Sequence, residues 1–412
     1  MVALSVDAKR QQQGIWLLRG HVQTYAWGRR GMGSRVARYA VAQGTLESQR
    51  VSESVSYAEL WLGAHPSGEA SVVTEANESV PVSIFVPAGS LPFLLKVLSV
   101  ERALSIQAHP DIALAKVLHK QFPELYKDGN HKPEMCVCLG PGQFEALLGF
   151  RPVAEIVRAL KQVPEFRGAC GAYAETFCSS PSAPDGLRKL FESLMRNEDV
   201  SRQQAHQLRQ RLEAADVLDA EHALALRLLK QYPNDAGIFA AFLLNHVRLE
   251  PGQAIFIEPN EPHAYLEGDC VEIMATSDNV VRAGLTDKHK DVETLCKMLT
   301  YRCKDPVQIL QRDAQNRFLA PVCEFELECL ELERHGEESA DLHLESSASY
   351  SILLDVEGEA QISQHGIDHS YRLSPGMACL VAPHTPVVVR PLTVSCQLFR
   401  ARAPATVPVN GL

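Results

Sequence analysis

Apolar positions in this chain come first in short runs broken by Pro and Gly, then at helical spacing, then in short runs again. Between residues 16 and 149 the runs 71–74, 80–86, 93–100 and 135–139 read as β-strands, each bounded by turn residues. One helix is expected inside this region, over 113–120, with Asp111 as its N-cap. From Val153 the period changes: 154–160, 186–195, 201–212 and the Ala- and Leu-rich 220–231 all carry helical spacing. Residues 151–246 therefore read as a helical insertion, and Tyr232-Pro233-Asn234-Asp235-Ala236-Gly237 as the turn that ends one of its helices.

Strand signals return at Val247. The stretch 248–257 is a Pro-Gly turn followed by a buried strand, and 292–301 is a short helix. Residues 373–383 repeat the strand, Pro-Gly, strand, Pro order of 249–259, which predicts two related barrel or jelly-roll units of the cupin type. The fold expected is mainly β with an α insertion. Residues 1–150 with 247–310 form a cupin-like jelly-roll catalytic domain, 151–246 the inserted helical domain, and 311–412 a second, C-terminal cupin-like β domain. At 412 residues the chain is too long for one core, which agrees with this division.

A net charge of −10 argues against non-specific nucleic-acid binding but not against a local basic pocket. No apolar run is long enough to span a bilayer, and the first fourteen residues carry no apolar core of signal-peptide length. The eleven scattered cysteines lack a repeated CxxC spacing, so Cys136 and Cys138 read as core packing in a reducing compartment. A soluble, cytoplasmic protein is expected, and a monomer.

Four segments carry candidate chemistry. They are Gln107-Ala108-His109, His131-Lys132-Pro133-Glu134, Asn260-Glu261-Pro262-His263-Ala264-Tyr265 with the following Glu272, and Ser277 to Gly284 with Arg282. Gln107 and His109 share a face if they lie on a strand. One amide, two imidazoles and one carboxylate suit zinc or a similar borderline metal. Taken singly, each is more often a hydrogen-bonded core residue or a solvated charge. Arg282 is a permanent cation able to hold an anion by paired hydrogen bonds, or else to pair with Asp278 or Glu272.

Together the segments resemble the type I phosphomannose isomerases. Leu91-Pro92-Phe93-Leu94-Leu95-Lys96-Val97-Leu98 running into Ser105-Ile106-Gln107-Ala108-His109-Pro110 carries the likeness. So do Tyr25-Ala26-Trp27-Gly28, Ala58 to Pro66, Lys132-Pro133-Glu134, Glu261 to Tyr265 and Ser277 to Thr286, in family order from about residue 16 to about 400. Ala108 and Ala103 stand where Val and Pro are common in the family, and 151–246 matches only weakly before Tyr232.

The resemblance implies interconversion of mannose 6-phosphate and fructose 6-phosphate with one zinc ion per chain, feeding GDP-mannose and glycan synthesis. It puts the metal ligands at Gln107, His109, Glu134 and His263, the active-site arginine at Arg282, and polar pocket residues at Lys96, Ser105, Lys132 and Glu272. Moving a proton between two carbons through an enediol needs a base, for which Glu272, Lys132 and a metal-bound water are the candidates. Ser105, Lys96 and Lys288 are candidate phosphate donors, although a solvated surface charge is the commoner reading of Lys288. The rivals are another metal-dependent cupin enzyme, such as an oxygenase or epimerase, a non-catalytic sugar-phosphate sensor, and a storage-type structural cupin.

Overall fold

The computed structural model describes residues 14–182, 184–304, 306–334 and 341–405. It is mainly β, with a helical segment between the strands Phe144–Phe150 and Leu244–Leu249. A ten-stranded antiparallel assembly carries the chemistry-bearing segments, and an eight-stranded sheet with a four-stranded partner forms the second β unit.

The strand Phe93–Val100 is buried at every position because both its faces are covered. Phe93, Leu95 and Val97 face the core between the two β units, against Leu354, Leu380 and Phe399. The alternate side chains point into the first unit, where Leu98 and Val100 join Cys136, Cys138, Tyr265 and Cys270. The same alternation governs Glu134–Cys138: Met135 and Val137 face the shared core, while Cys136 and Cys138 lie on the Glu134 face. All eleven cysteines are free, and these two are packing residues.

Phe93–Val100 pairs with Glu59–Leu62 on one side and with His263–Ala275 on the other. The latter is one thirteen-residue strand that runs straight through Glu267-Gly268-Asp269, although those residue types suit a turn. Gly268 instead takes φ +116° in mid-strand, where a Cβ would sit 2.9 Å from the Phe144 Cα. It marks the place where the strand changes partners, from Phe144–Phe150 to Phe93–Val100 and Glu134–Cys138.

The expected helix behind His109 spans Ile112–Gln121, and the Asp111 side chain accepts from the Leu114 N–H as its cap. The insertion contains the expected helices as Val153–Gln162, Asp185–Arg196, Glu198–Glu213 and Ala220–Gln231. It also contains Pro164–Cys170 and Ala172–Ser179, which the apolar spacing did not reveal. The run 80–86 is not one strand: the strand ends at Pro81 and a helical turn, Val82–Phe85, follows with Val82 buried. Helix Arg35–Ala42 was also unanticipated; Ser34 caps it, and its Val36, Ala37 and Ala40 are buried in the core shared by the β units.

The Pro-Gly turns in the two β units both take positive φ, at Gly252 and Gly376, and each leads into a buried strand, Ala254–Ile257 and Ala378–Val381. The N-terminal strand Ile15–Arg19 pairs with Ala378–Val381 and with Ser71–Val73. Segments from the first hundred residues thus complete the eight-stranded sheet of the second unit. No helix among the described residues is long and apolar enough to cross a membrane.

Candidate active site

His109, Glu134 and His263 meet at one end of the first β unit, with candidate ligand atoms within 4.8 Å of one another. All three are almost fully buried. Their convergence follows from strand register. Gln107 pairs with His263 across one strand boundary and with Arg282 across the other, and Glu134 pairs with Met274 on the long strand. His109 stands just past the end of Ile106–Ala108, where the chain bends into the Asp111 cap.

Backbone carbonyls fix the histidine tautomers. His109 Nδ1 is 2.7 Å from the Asn279 oxygen, and His263 Nδ1 is 3.0 Å from the Glu261 oxygen. A carbonyl only accepts, so each Nδ1 carries the proton and each Nε2 presents a lone pair to the cluster. His109 Nε2 and Glu134 Oε2 are buried without a hydrogen-bond partner. Burial pushes the His109 imidazole down to about 4, so the ring is neutral at physiological pH. Burial also opposes the Glu134 charge, but the Lys132 ammonium, 3.1 Å away, holds that carboxyl well below the usual range. Two neutral imidazoles with inward lone pairs, one carboxylate and two orphaned acceptors make a donor set that fits a divalent cation.

Gln107 completes one side, its amide nitrogen 3.4 Å from His263 Nε2 and its oxygen accepting from Ser105 Oγ at 2.9 Å. A half-turn of the amide exchanges its nitrogen and oxygen and leaves Ser105 a partner either way. Lys132 lies 3.1 Å from Glu134 Oε1.

A cavity of about 320 Å³ opens beside this cluster. Gln107, Ser105, Lys132, Lys96 and Arg282 line it, with Tyr25, Trp61, His65, Arg102, Asp278 and Lys288. Lys96 is saturated: its ammonium lies 2.9 Å from Glu272 Oε2 and 3.5 Å from Glu59 Oε2, against the Trp61 ring. Glu272 is buried directly across the strand pair from Lys96, outside the cavity lining, and burial pushes its carboxyl up. Arg282 has no ion pair with Asp278 or Glu272. Among the described residues, no carboxylate comes within ion-pair distance of Arg282, Lys288 or Arg102. Asp278 is instead held by Ser67 Oγ and His65.

The structure thus brings all ten sequence-selected residues, Lys288 included, to one region, with different contacts around it. His131 turns away and meets Glu324 at 2.7 Å. Sequence reasoning passed over Arg102, which lies over the Tyr232 ring, and Asp128, whose carboxylate ties down Ser277, Asp278 and Asn279. It also passed over the two carbonyls that fix the histidines, because backbone atoms leave no residue signature.

Family comparison settles the class of protein. The model of the type I phosphomannose isomerase catalytic domain matches residues 15–153, and that of the family's helical insertion domain matches 171–244. The human mannose-6-phosphate isomerase is 42% identical over 370 residues, covering 82% of this chain and 86% of that protein. The chain belongs to the type I phosphomannose isomerase family. Another member, mannose-6-phosphate isomerase 1 of Arabidopsis thaliana, is 41% identical over 376 residues, 84% of each chain. Among solved members, the Salmonella typhimurium enzyme bound to its substrate and to zinc superposes with a TM-score of 0.80 at 28% identity, covering 95% of this chain and all of the other. The family's helical domain begins well before Tyr232, where residue resemblance alone was weak.

Proposed function

We propose that the protein is a zinc-dependent aldose–ketose isomerase that interconverts mannose 6-phosphate and fructose 6-phosphate by proton transfer through an enediol. One observation carries the reading most: two tautomer-fixed histidines and a carboxylate adjoin a cavity with three cations that, among the described residues, pair with no carboxylate. Relatives that carry the mannose-6-phosphate isomerase name, and a structural neighbour bound to zinc and its substrate, support the same activity here.

His109, Glu134 and His263, with the Gln107 amide, would hold one zinc ion per chain, which would supply Lewis-acid polarisation of the oxygens at the reacting carbons. Ser105 fixes the Gln107 amide. Lys132 is the base we assign, because it lines the cavity beside the cluster and the charge of a zinc ion held by Glu134 would favour its neutral amine; Glu272 stands behind Lys96 and acts through it. Arg282, unneutralised at the wall, stabilises the enediolate oxygen by charge. Lys288 and Arg102 are left for the phosphate dianion, with Lys96 kept in place by its two carboxylates. The division into 1–150 with 247–310, 151–246 and 311–412 belongs to this reading, with strand Ile15–Arg19 crossing to the last unit. So do a monomeric state, a cytoplasmic location favoured by eleven free thiols, and a role in supplying mannose for GDP-mannose synthesis.

A coupled assay with mannose 6-phosphate, run alongside elemental analysis, tests the proposal. Turnover with about one zinc per chain is expected. Full activity after complete metal removal, or no conversion by the zinc-loaded protein, would overturn it.

A further inference from the structure

The segment after Arg282 forms the outer wall of the cavity: Leu285, Thr286, Asp287 and Lys288 all line it. Its shape is not self-supporting. Leu285 takes φ +54°, a left-handed conformation that a γ-branched residue holds only when its surroundings impose it. The imposing group comes from the helical insertion. Asp235, almost fully buried at the foot of that insertion, accepts from the Leu285 N–H at 2.8 Å and from the Gly237 N–H at 2.7 Å with one oxygen. Its other oxygen lies 3.0 Å from Lys290 Nζ.

The two backbones touch at this point. A Cβ on Gly284 would lie 2.8 Å from the Gly237 Cα, and a Cβ on Gly237 would lie 2.8 Å from the Leu285 nitrogen. Only glycine at both positions permits the approach that lets Asp235 reach the Leu285 amide. Downstream, the Asp291 N–H donates to the Arg282 carbonyl at 2.9 Å and its carboxylate accepts from Tyr126 Oη, which closes the segment at its far end. Between these pins Lys288 extends over the Tyr25 ring, 4.8 Å from its centre, with no carboxylate in reach among the described residues.

We propose that Asp235 is a positioning residue: through Leu285 it fixes the cavity wall that carries Lys288, so the helical insertion sets the affinity of the site for the substrate's phosphate. Asp235 does not line the cavity and touches no substrate. The inference rests on the isomerase reading for its substrate, while the contact between insertion and wall stands without it.

The test uses zinc-loaded, full-length protein: wild type, Asp235→Ala, Asp235→Asn, Lys288→Ala and the two Asp235 changes on the Lys288→Ala background. KM and kcat are measured with mannose 6-phosphate, and inorganic phosphate binding is measured by calorimetry. Asp235→Ala leaves two buried N–H groups unsatisfied, and KM and the phosphate dissociation constant are expected to rise about tenfold with kcat within about twofold of wild type. Asp235→Asn keeps the acceptor oxygen and loses only the Lys290 pair, so a rise of about two- to threefold is expected. On the Lys288→Ala background both effects should vanish, which a merely structural role would not produce. If Asp235→Ala does not fold, the Asp235→Asn pair of backgrounds decides alone. Unchanged phosphate binding in the Asp235 variants, equal effects on both backgrounds, or a fall in kcat with KM unmoved would overturn the proposal. A wild type that binds phosphate but converts no mannose 6-phosphate would refute the isomerase reading, and the phosphate measurements would still decide the role of Asp235.

Discussion

Replacing Lys96 with Met removes the ammonium that lies between two buried carboxylates. Lys96, Glu272 and Glu59 are all buried, and the ammonium lies 2.9 Å from one carboxylate and 3.5 Å from the other. At an effective dielectric of about 20 those distances correspond to roughly 6 and 5 kcal/mol of gross attraction. Most of this is offset by the cost of taking the charges out of water. Removing one partner exposes that cost, so breaking a buried pair destabilises by about 3–5 kcal/mol. The Trp61 N–H still donates to Glu59, which leaves Glu272 as the carboxylate without a partner and puts the expected loss near the lower end of that range. Glu272→Gln introduced together with Lys96→Met should recover about 2 kcal/mol or more, since it removes the orphaned charge. Urea denaturation of the zinc-loaded variants reads the coupling, and KM for mannose 6-phosphate is measured on the same samples. A Lys96→Met protein with the wild-type unfolding midpoint and a raised KM would refute this reasoning, because it would show Lys96 working on the substrate rather than between its carboxylates.

Other perturbations reach different parts of the molecule. Glu145 hydrogen-bonds His246 and Arg227, which hold its carboxyl down at about 2, so the native state stays ionised while the unfolded chain takes up a proton near 4.5. Its contribution, at most about 3 kcal/mol, is present above that unfolded value and lost as pH falls toward 2; Glu145→Gln should flatten the acid limb of urea-measured stability. Asp355 has the opposite sign: burial pushes it from 3.8 up to about 8. The native state therefore keeps a proton that the unfolded chain releases, and stability falls as pH rises through that window, by roughly 4 kcal/mol at pH 7. Asp355→Asn should remove this slope, and an unchanged slope between pH 5 and 8 would show that the carboxyl titrates normally. Arg282→Ala should cut kcat by about a hundredfold or more while leaving the unfolding free energy within about 1 kcal/mol, because among the described residues no carboxylate is stranded by its loss.

Local pattern carried much of the architecture. Runs such as 93–100 are short, apolar and bounded by turn residues, and the helix Ala220–Gln231 has unbroken spacing between an Asp cap and a Tyr-Pro break. Features set by tertiary contact were hidden. The helix Arg35–Ala42 presents only a short apolar face, and Pro164–Cys170 and Ala172–Ser179 are too brief to establish a period. Gly268 has the residue type of a turn, yet it sits in a strand because Phe144 approaches its backbone too closely for a side chain. At the site, the residue types of the donor set were legible, but not how the charges are shared. Lys96 has the chemistry of a phosphate ligand, and only cross-strand register reveals that Glu272 faces it.

That register explains how one site combines a fixed centre with a shaped wall. The residues around the metal cluster stand on or beside strands whose neighbours are set by continuous antiparallel pairing, so a side chain can shift only if a buried ladder shifts with it. The substrate-facing cations are held differently. Arg282 lies on a short edge strand and Lys288 on the irregular segment that follows, and among the described residues neither has a carboxylate partner to fix it. A cation meant to receive a phosphate has to stay unneutralised, which rules out the salt bridges that immobilise Lys96. Its position must then come from the backbone beneath it, and here that backbone is pinned by Asp235 from the insertion and by Asp291 from the following helix. A helical segment inserted between two strands of the first unit therefore sits where the site needs an external brace.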